Sequence, residues 1–149
     1  MAHKVVLRVE KLKSFGNIAA SLSHTYRTRE TPNAAAELAD QNQHSHSSPQ
    51  EVMQALKDRL PDKRRSDAVL GLEYVVTAHQ DWFKGLDRAA QDAYLMDSLE
   101  WLRKRHGADN VVGWSIHRDE QAPHLAVFVV PLKDGKLNAK HFTGGKKVL

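Results

Sequence analysis

Cysteine is absent from the 149-residue sequence, and so is any long apolar run. A chain without cysteine has neither disulfides nor thiolate metal sites, which fits a reducing cytoplasm. No apolar stretch approaches the ~20 residues that span a bilayer, and the N-terminus lacks the apolar core of a signal peptide. We therefore predict no membrane partner. No internal repeat is visible, and the length suits one domain with its own core.

Basic residues and histidines are the compositional features that stand out. The sequence has 22 Lys and Arg against 18 Asp and Glu, a formal net charge of +4, and nine histidines. The positive charge is compatible with a nucleic-acid ligand but does not establish one, because many basic proteins bind none. The number of histidines favours a metal site or an acid–base site.

Residues 111–131 are the most informative stretch, and they predict two short apolar strands joined by a tight turn. His117 ends the first strand, and His124 opens the second. Strand side chains alternate between faces, so one face of the second strand should carry His124, Ala126, Phe128 and Val130. Two imidazoles and an acidic turn suit a divalent ion, because nitrogen and carboxylate ligands replace its water. A hairpin with two polar histidines at its mouth is the alternative.

The string His-x-Asp-Glu-x-x-Pro-His, followed by an apolar strand ending in Val-Pro, resembles the metal motif of the Mob/Pre plasmid mobilisation relaxases, the MobV group of the HUH endonucleases. In that family two histidines flank one hydrophobic residue, whereas here the run is His124-Leu125-Ala126. Ala126 thus stands where the second histidine would point. The resemblance also implies that Asp119 accepts a hydrogen bond from a histidine N–H. The ligands that it implies for Mn²⁺ or Mg²⁺ are His117, Glu120 and His124.

A second resemblance lies nearer the N-terminus, where a basic strand leads into Gly16-Asn17 and then His24-Thr25-Tyr26-Arg27. This order is similar to the first relaxase motif, with Thr25 in place of the common asparagine. The resemblance implies that His24 is the nucleophile and that Arg27 contacts the phosphate. Tyr26 is the rival nucleophile. Helix positions i and i+2 point about 160° to 200° apart, so we do not expect His24 and Tyr26 to reach the same phosphate. A surface helix end with a dipole-stabilised histidine is the alternative.

Further basic residues are the predicted DNA contacts, because phosphate neutralisation supplies backbone affinity. Residues 63–65 are the densest cluster, and the segment after them is similar to the family's middle segment, in which an arginine contacts DNA. A solvated basic turn is the alternative. Glu73 in this segment is either part of the site or structural. The predicted DNA-binding set is Lys4, Arg8, Lys11, Lys13, Arg29, Arg64 and Arg65.

Local patterns predict the main elements and one loop. His44 and His46 lie in the most polar stretch, which we expect to be a surface loop rather than a metal site. Ser48-Pro49 is a typical helix start. The predicted strands cover residues 4–9, extending to 12, and 67–77, and the predicted helices cover 18–27, 49–60 and 87–106.

The motifs occur in the family's order, which implies an α+β domain with a central, mostly antiparallel sheet that carries the metal-site hairpin, and helices packed on one face. The implied function is strand-specific nicking of single-stranded or hairpin DNA at an origin of transfer, with attachment to the 5′ end, for conjugative mobilisation. Coupling and accessory mobilisation proteins are the implied further partners. We also expect an N-terminal domain cut from a longer protein. A catalytically silent, autoregulatory origin-binding domain and a metal-dependent phosphodiesterase are the alternatives.

Overall fold

The fold is an α+β domain, as predicted, and the computed structural model describes residues 5–27, 42–119 and 122–144. The elements of these residues are β1 (Val5–Leu12), α1 (Phe15–Thr25), β2 (Gln43–His44), α2 (Pro49–Arg59), β3 (Gly71–Ala78), α3 (Gln80–Lys84), α4 (Arg88–His106), a 3₁₀ turn (Ala108–Asn110), β4 (Val111–His117), β5 (His124–Val129), β6 (Leu132–Lys133), β7 (Lys136–Leu137) and α5 (Ala139–Thr143). Five of these strands form one antiparallel sheet in the order β1-β3-β5-β4-β2, and β6 pairs with β7 separately.

Helices pack on both faces of the sheet rather than on one face, which corrects that part of the prediction. The central strand β5 explains the difference, because it is apolar on both sides. Leu125 and Val127 belong to the core on the α4 side, whereas Phe128 belongs to a second core with α1 and α2. A strand that is buried on both faces needs cover from both sides.

The two helices on the second face begin at serine caps. The Ser14 hydroxyl accepts a hydrogen bond from the Asn17 backbone N–H at 3.0 Å, so α1 starts at Phe15, ahead of the predicted residue 18. Ser48 caps α2 in the same way, as the sequence predicted. Helix α2 approaches β4 closely because Gly113 has no side chain: a Cβ there would lie 2.7 Å from Cγ1 of Val52.

The arrangement leaves one end of the second face uncovered. Helices α1 and α2 pack over Phe128 and Val112, whereas the sheet is open near the β4–β5 turn, where His117 pairs with His124. Strand β2 pairs with β4 next to this opening, so the predicted loop at residues 41–49 contains a short strand. In the part of the chain that the structure describes, no helix is apolar and long enough to cross a membrane.

Candidate active site

A cleft of about 550 Å³ lies over the uncovered end of the sheet. Strands β1, β3, β4 and β5 contribute its floor, and the C-terminal end of α1 forms one wall. Paired residues on neighbouring strands project to the same face, which explains why side chains distant in sequence meet here. The residues that matter for its chemistry are Arg8, His24, Glu73, His117, His124 and Ala126.

His117 and His124 form the centre of the cleft. They are paired across β4 and β5, with 2.9 Å between Nδ1 of His117 and Nε2 of His124. Nε2 of His117 lies 2.7 Å from the Thr25 carbonyl oxygen, which can only accept, so this nitrogen carries the proton. Nδ1 of His117 then accepts the N–H of His124. Burial, together with His124, lowers the pKa of His117 to about 3, so the ring is neutral near pH 7.

This pair fits two coordination positions of one divalent ion. Nδ1 of His117 already presents a lone pair to its partner, and the Thr25 carbonyl holds the opposite ring nitrogen, an arrangement common for metal-ligating histidines. His124 would present its own lone pair once its proton moved to Nδ1, which lies 3.4 Å from the Ala122 carbonyl oxygen. Within residues 5–27, 42–119 and 122–144, no group of three or more potential ligands is found. Glu120, the predicted third ligand, lies outside the described residues.

Asp119 and Arg27 pair with each other beside the cleft, and their predicted roles toward a histidine and a phosphate stay predictions. The Asp119 carboxylate accepts two hydrogen bonds from the Arg27 guanidinium, at 2.9 Å from Nε and 2.7 Å from Nη2, whereas the N–H of His117 donates to Thr25. Burial raises the pKa of Asp119, but the hydrogen bonds from Arg27 outweigh it and lower the value to about 2. The guanidinium also donates to the His24 carbonyl oxygen, so it ties the end of α1 to the hairpin.

Tyr26 is held away from the cleft. Its hydroxyl donates to the His46 carbonyl oxygen at 2.9 Å, and its ring stacks on His44 with 4.2 Å between centroids. Burial raises the pKa of Tyr26, which makes its phenolate harder to form. These contacts favour a structural role for Tyr26 over that of the rival nucleophile.

His44, which we predicted to lie in a surface loop, is next to the site. Its Nδ1 lies 2.6 Å from the Ser115 hydroxyl, and its ring meets the ring of His117 edge-on at 6.2 Å. Burial, together with the charge of Arg27, lowers the pKa of His44. Only the pairing of β2 with β4 brings His44 here, and no local pattern predicted that pairing.

His24 and Glu73 face the same cleft from different elements. His24 lies in the last turn of α1 and is exposed. Glu73 lies on β3, which adjoins the hairpin strand β5, so it belongs to the site. Burial raises the pKa of Glu73, although the Ser21 hydroxyl opposes this by donating to its carboxylate at 2.5 Å. A carboxyl group in this state can hold a proton closer to neutral pH than usual.

The predicted DNA-binding residues are divided among three places. Arg8 lines the cleft, whereas Lys11 lies on the opposite side of β1, the side that α4 covers. Lys13, Arg64 and Arg65 line a separate groove of about 480 Å³ at the other end of α1, roughly 15 Å away by helix length. Lys4 and Arg29 lie outside the described residues.

Comparisons with known proteins agree with this geometry. Residues 1–149 match the Mob_Pre family, described as plasmid recombination enzyme. Plasmid recombination enzyme type 2 of Staphylococcus aureus is 38% identical over 87 residues, which are 58% of this chain and 21% of that protein. A plasmid recombination enzyme of Bacillus sp is 29% identical over 154 residues, covering 97% of this chain and 37% of the relative. The chain thus spans well under two thirds of the length of these relatives.

A solved structure has the same fold. The MobM relaxase domain (MOBV; Mob_Pre), Mn-bound and in complex with plasmid pMV158 oriT DNA, superposes with a TM-score of 0.80 at 25% identity. The match covers 93% of this chain and 76% of the MobM chain. The resemblance that the motifs indicated is confirmed.

Proposed function

The chain belongs to the Mob_Pre family of plasmid recombination enzymes, and from that membership and the cleft we propose that it nicks one DNA strand at an origin of transfer. The observation that carries the proposal is the exposed His24 at the wall of a cleft whose floor holds the His117–His124 pair. The MobM relaxase domain, which shares this fold, is bound to oriT DNA and to Mn in its crystal structure. Single-stranded or hairpin DNA is accordingly the proposed substrate, and coupling and accessory mobilisation proteins are the proposed further partners.

His24 is the proposed nucleophile. A neutral ring nitrogen attacks the phosphorus of the scissile phosphodiester, the new P–N bond joins the protein to the 5′ side, and the bond to the 3′ oxygen breaks. The released oxygen takes up a proton and becomes a 3′-OH. Glu73 is the cleft residue suited to exchange that proton, because burial raises the pKa of its carboxyl group.

His117 and His124 are the residues that would hold a divalent ion, Mn²⁺ or Mg²⁺. When bound, such an ion supplies positive charge for the non-bridging phosphate oxygens, on which negative charge develops. The protein's own contribution is to fix the two rings: Thr25 accepts from His117, and the β4–β5 pairing sets their separation. Arg8, the basic residue that lines the cleft, is assigned to the DNA backbone there.

The test is an incubation of the chain with a labelled single strand that carries the origin of its own plasmid or mobile element, in Mn²⁺ or Mg²⁺. A denaturing gel at neutral pH should show cleavage and a protein–DNA adduct that acid hydrolyses, because phosphoramidates are acid-labile. His24→Ala should abolish both products, and Tyr26→Phe should keep them. An acid-stable adduct that disappears in Tyr26→Phe would move the nucleophile to tyrosine.

A silent origin-binding domain is the second candidate, and Ala126 is the observation that favours it. The small apolar side chain stands in the cleft where the family motif has a histidine. Tight binding of the origin strand without cleavage in either metal would establish this second function in place of the first.

A further inference from the structure

Phe15, the first residue of α1, places an aromatic side chain in the groove at the far end of that helix. The residue is 37% exposed, whereas Ile18 and Leu22, which follow it on the same face of α1, are fully buried in the second core. A single exposed ring is ordinary on a protein surface, so its surroundings decide whether it has a role.

The ring lies among positive charges from three segments of the chain. Three cations line the groove with it: Lys13, Arg64 and Arg65. Helix α2 adds Lys57, whose Nζ lies over the ring at 5.0 Å from its centroid. Asp62 is the acidic residue of the lining, so the groove keeps an excess of positive charge. An exposed ring among several cations is typical of sites that bind single-stranded nucleic acid.

A second groove, between α1 and β1, connects this ring with the cleft. It has a volume of about 650 Å³ and shares His24 and Glu73 with the cleft. At its other end it reaches Asn17, whose backbone N–H donates to the Ser14 hydroxyl in the lining of the groove at the far end of α1. The helix separates the two ends by roughly 15 Å. A strand that follows this path from His24 reaches Phe15 within about four nucleotides, at the ~3.4 Å spacing of stacked bases.

We propose that Phe15 stacks on an unpaired base of the DNA strand that is nicked beside His24. The three cations that line the groove hold the phosphates on either side of that base. This inference rests on the proposed function, which supplies the strand. Lys57 lies over one face of the ring, so the base stacks on the other face. A base inside a duplex is already stacked on its neighbours, so this contact selects unpaired DNA.

The experiment measures DNA binding by fluorescence anisotropy in EDTA, with an oligothymidylate and a mixed-sequence duplex of equal length as probes. Stacking tolerates any base, so the single strand needs no origin sequence. Phe15→Leu keeps an apolar side chain but removes the aromatic face, and Phe15→Trp keeps that face. Trp101→Leu is the matched control, because Trp101 is an exposed aromatic residue on α4, on the opposite side of the sheet. Urea titrations should show nearly unchanged stability, since both rings are exposed.

Phe15→Leu should weaken oligothymidylate binding by about fivefold or more, the lower bound for one stacked base, and should leave duplex binding unchanged. The slope of log affinity against log salt should also stay unchanged, because the variant removes no charge. Phe15→Trp should bind the single strand at least as tightly as wild type, and Trp101→Leu should bind it as wild type does.

Three results would overturn the stacking contact: no loss in Phe15→Leu, an equal loss on the duplex, or an equal loss in Trp101→Leu. Failure of wild type to bind oligothymidylate at low salt would overturn it as well. None of these results decides the proposed function, which is tested separately by cleavage of the origin strand. At saturating DNA, Phe15→Leu should cleave that strand at the wild-type rate, because the ring binds the strand and takes no part in the chemistry.

Discussion

Arg27 and Asp119 form a two-bond ion pair across the site, with 2.7 Å between Nη2 and Oδ1, although they lie 92 residues apart in the chain. Arg27 lies two residues after the end of α1, which carries His24, and Asp119 lies two residues after His117, the last residue of β4. The two side chains are 12% and 1% exposed. The pair therefore fixes the helix of the proposed nucleophile onto the strand of the proposed metal ligand.

Breaking this pair should cost both stability and activity. Arg27→Leu or Asp119→Leu alone removes one charge of a largely buried ion pair and keeps the other, so the free energy of unfolding should fall by about 3 kcal/mol in urea titrations. The double variant should recover part of that loss, because it buries no charge. Nicking should stay impaired in all three, because the end of α1 loses its anchor. Single variants within ~0.5 kcal/mol of wild type would show that the pair contributes little.

Tyr26→Phe should separate structure from chemistry. The variant keeps the stacking on His44 but loses the hydrogen bond to the His46 carbonyl oxygen, which should lower the free energy of unfolding by about 1 kcal/mol. Its nicking rate, measured as single-turnover cleavage of the origin strand, should remain within about threefold of wild type. Tyr26→Ala removes the stacking as well and should be less stable than Tyr26→Phe.

The groove at the far end of α1 should show up in the salt dependence of DNA binding. Arg64→Ala and Arg65→Ala should each reduce the slope of log affinity against log salt by about 0.7, the contribution of one phosphate contact on a single strand. Lys104→Ala on α4 is the matched control, since it removes one exposed charge from the opposite side of the sheet. Equal effects at all three positions would mean that only net charge matters.

His106 should make the domain less stable in mild acid. Its Nε2 lies 2.7 Å from the Tyr74 hydroxyl, and burial, together with the charge of Arg105, lowers the pKa of His106 to about 4. Because the pKa of His106 is lower in the folded protein than in the unfolded chain, the unfolded chain binds this proton at a higher pH than the folded protein does. The stabilisation is therefore complete above pH ~6.5 and is lost as the pH falls toward 4, by about 2 kcal/mol at pH 5.

The comparison that isolates His106 is between two variants. Tyr74→Phe keeps the histidine, whereas His106→Leu/Tyr74→Phe removes it without stranding the hydroxyl. Between pH 7.5 and pH 5, the free energy of unfolding should fall by about 2 kcal/mol more in Tyr74→Phe than in the double variant. His117 is present in both variants and cancels in the difference. Equal pH dependence would contradict a depressed pKa at His106.

Local patterns were sufficient for the elements whose boundaries depend on local chemistry. Alternation along β5 placed His124, Ala126 and Phe128 on one face, and the Ser48-Pro49 start gave α2 its first turn. Helix α4 ends at His106, the predicted last residue, and Gly107 follows it at positive φ, a conformation that glycine adopts without strain. These features could be predicted from the sequence because each depends on a few neighbouring residues.

Features that depend on pairing between distant parts of the chain could not be predicted from local sequence patterns. His44 reaches His117 only because β2 adds to the edge of β4, and nothing near His44 in the sequence specifies that edge. Arg27 and Asp119 form a charged two-bond pair across 92 residues, and no local pattern near either residue predicts it. The hydrogen bond between Asp119 and a histidine that the resemblance implies stays a prediction. The cover on both sheet faces likewise follows from how α1 and α2 pack.

The central claim is that His24 is the nucleophile, and peptide mass spectrometry of the trapped protein–DNA adduct tests it most directly. The adduct should be formed with the origin strand, trimmed by nuclease and digested at neutral or mildly alkaline pH to preserve a phosphoramidate. We predict a nucleotide attached to the peptide containing His24 and located on that residue by fragmentation. Attachment at Tyr26, or at a residue elsewhere in the chain, would contradict the assignment of His24.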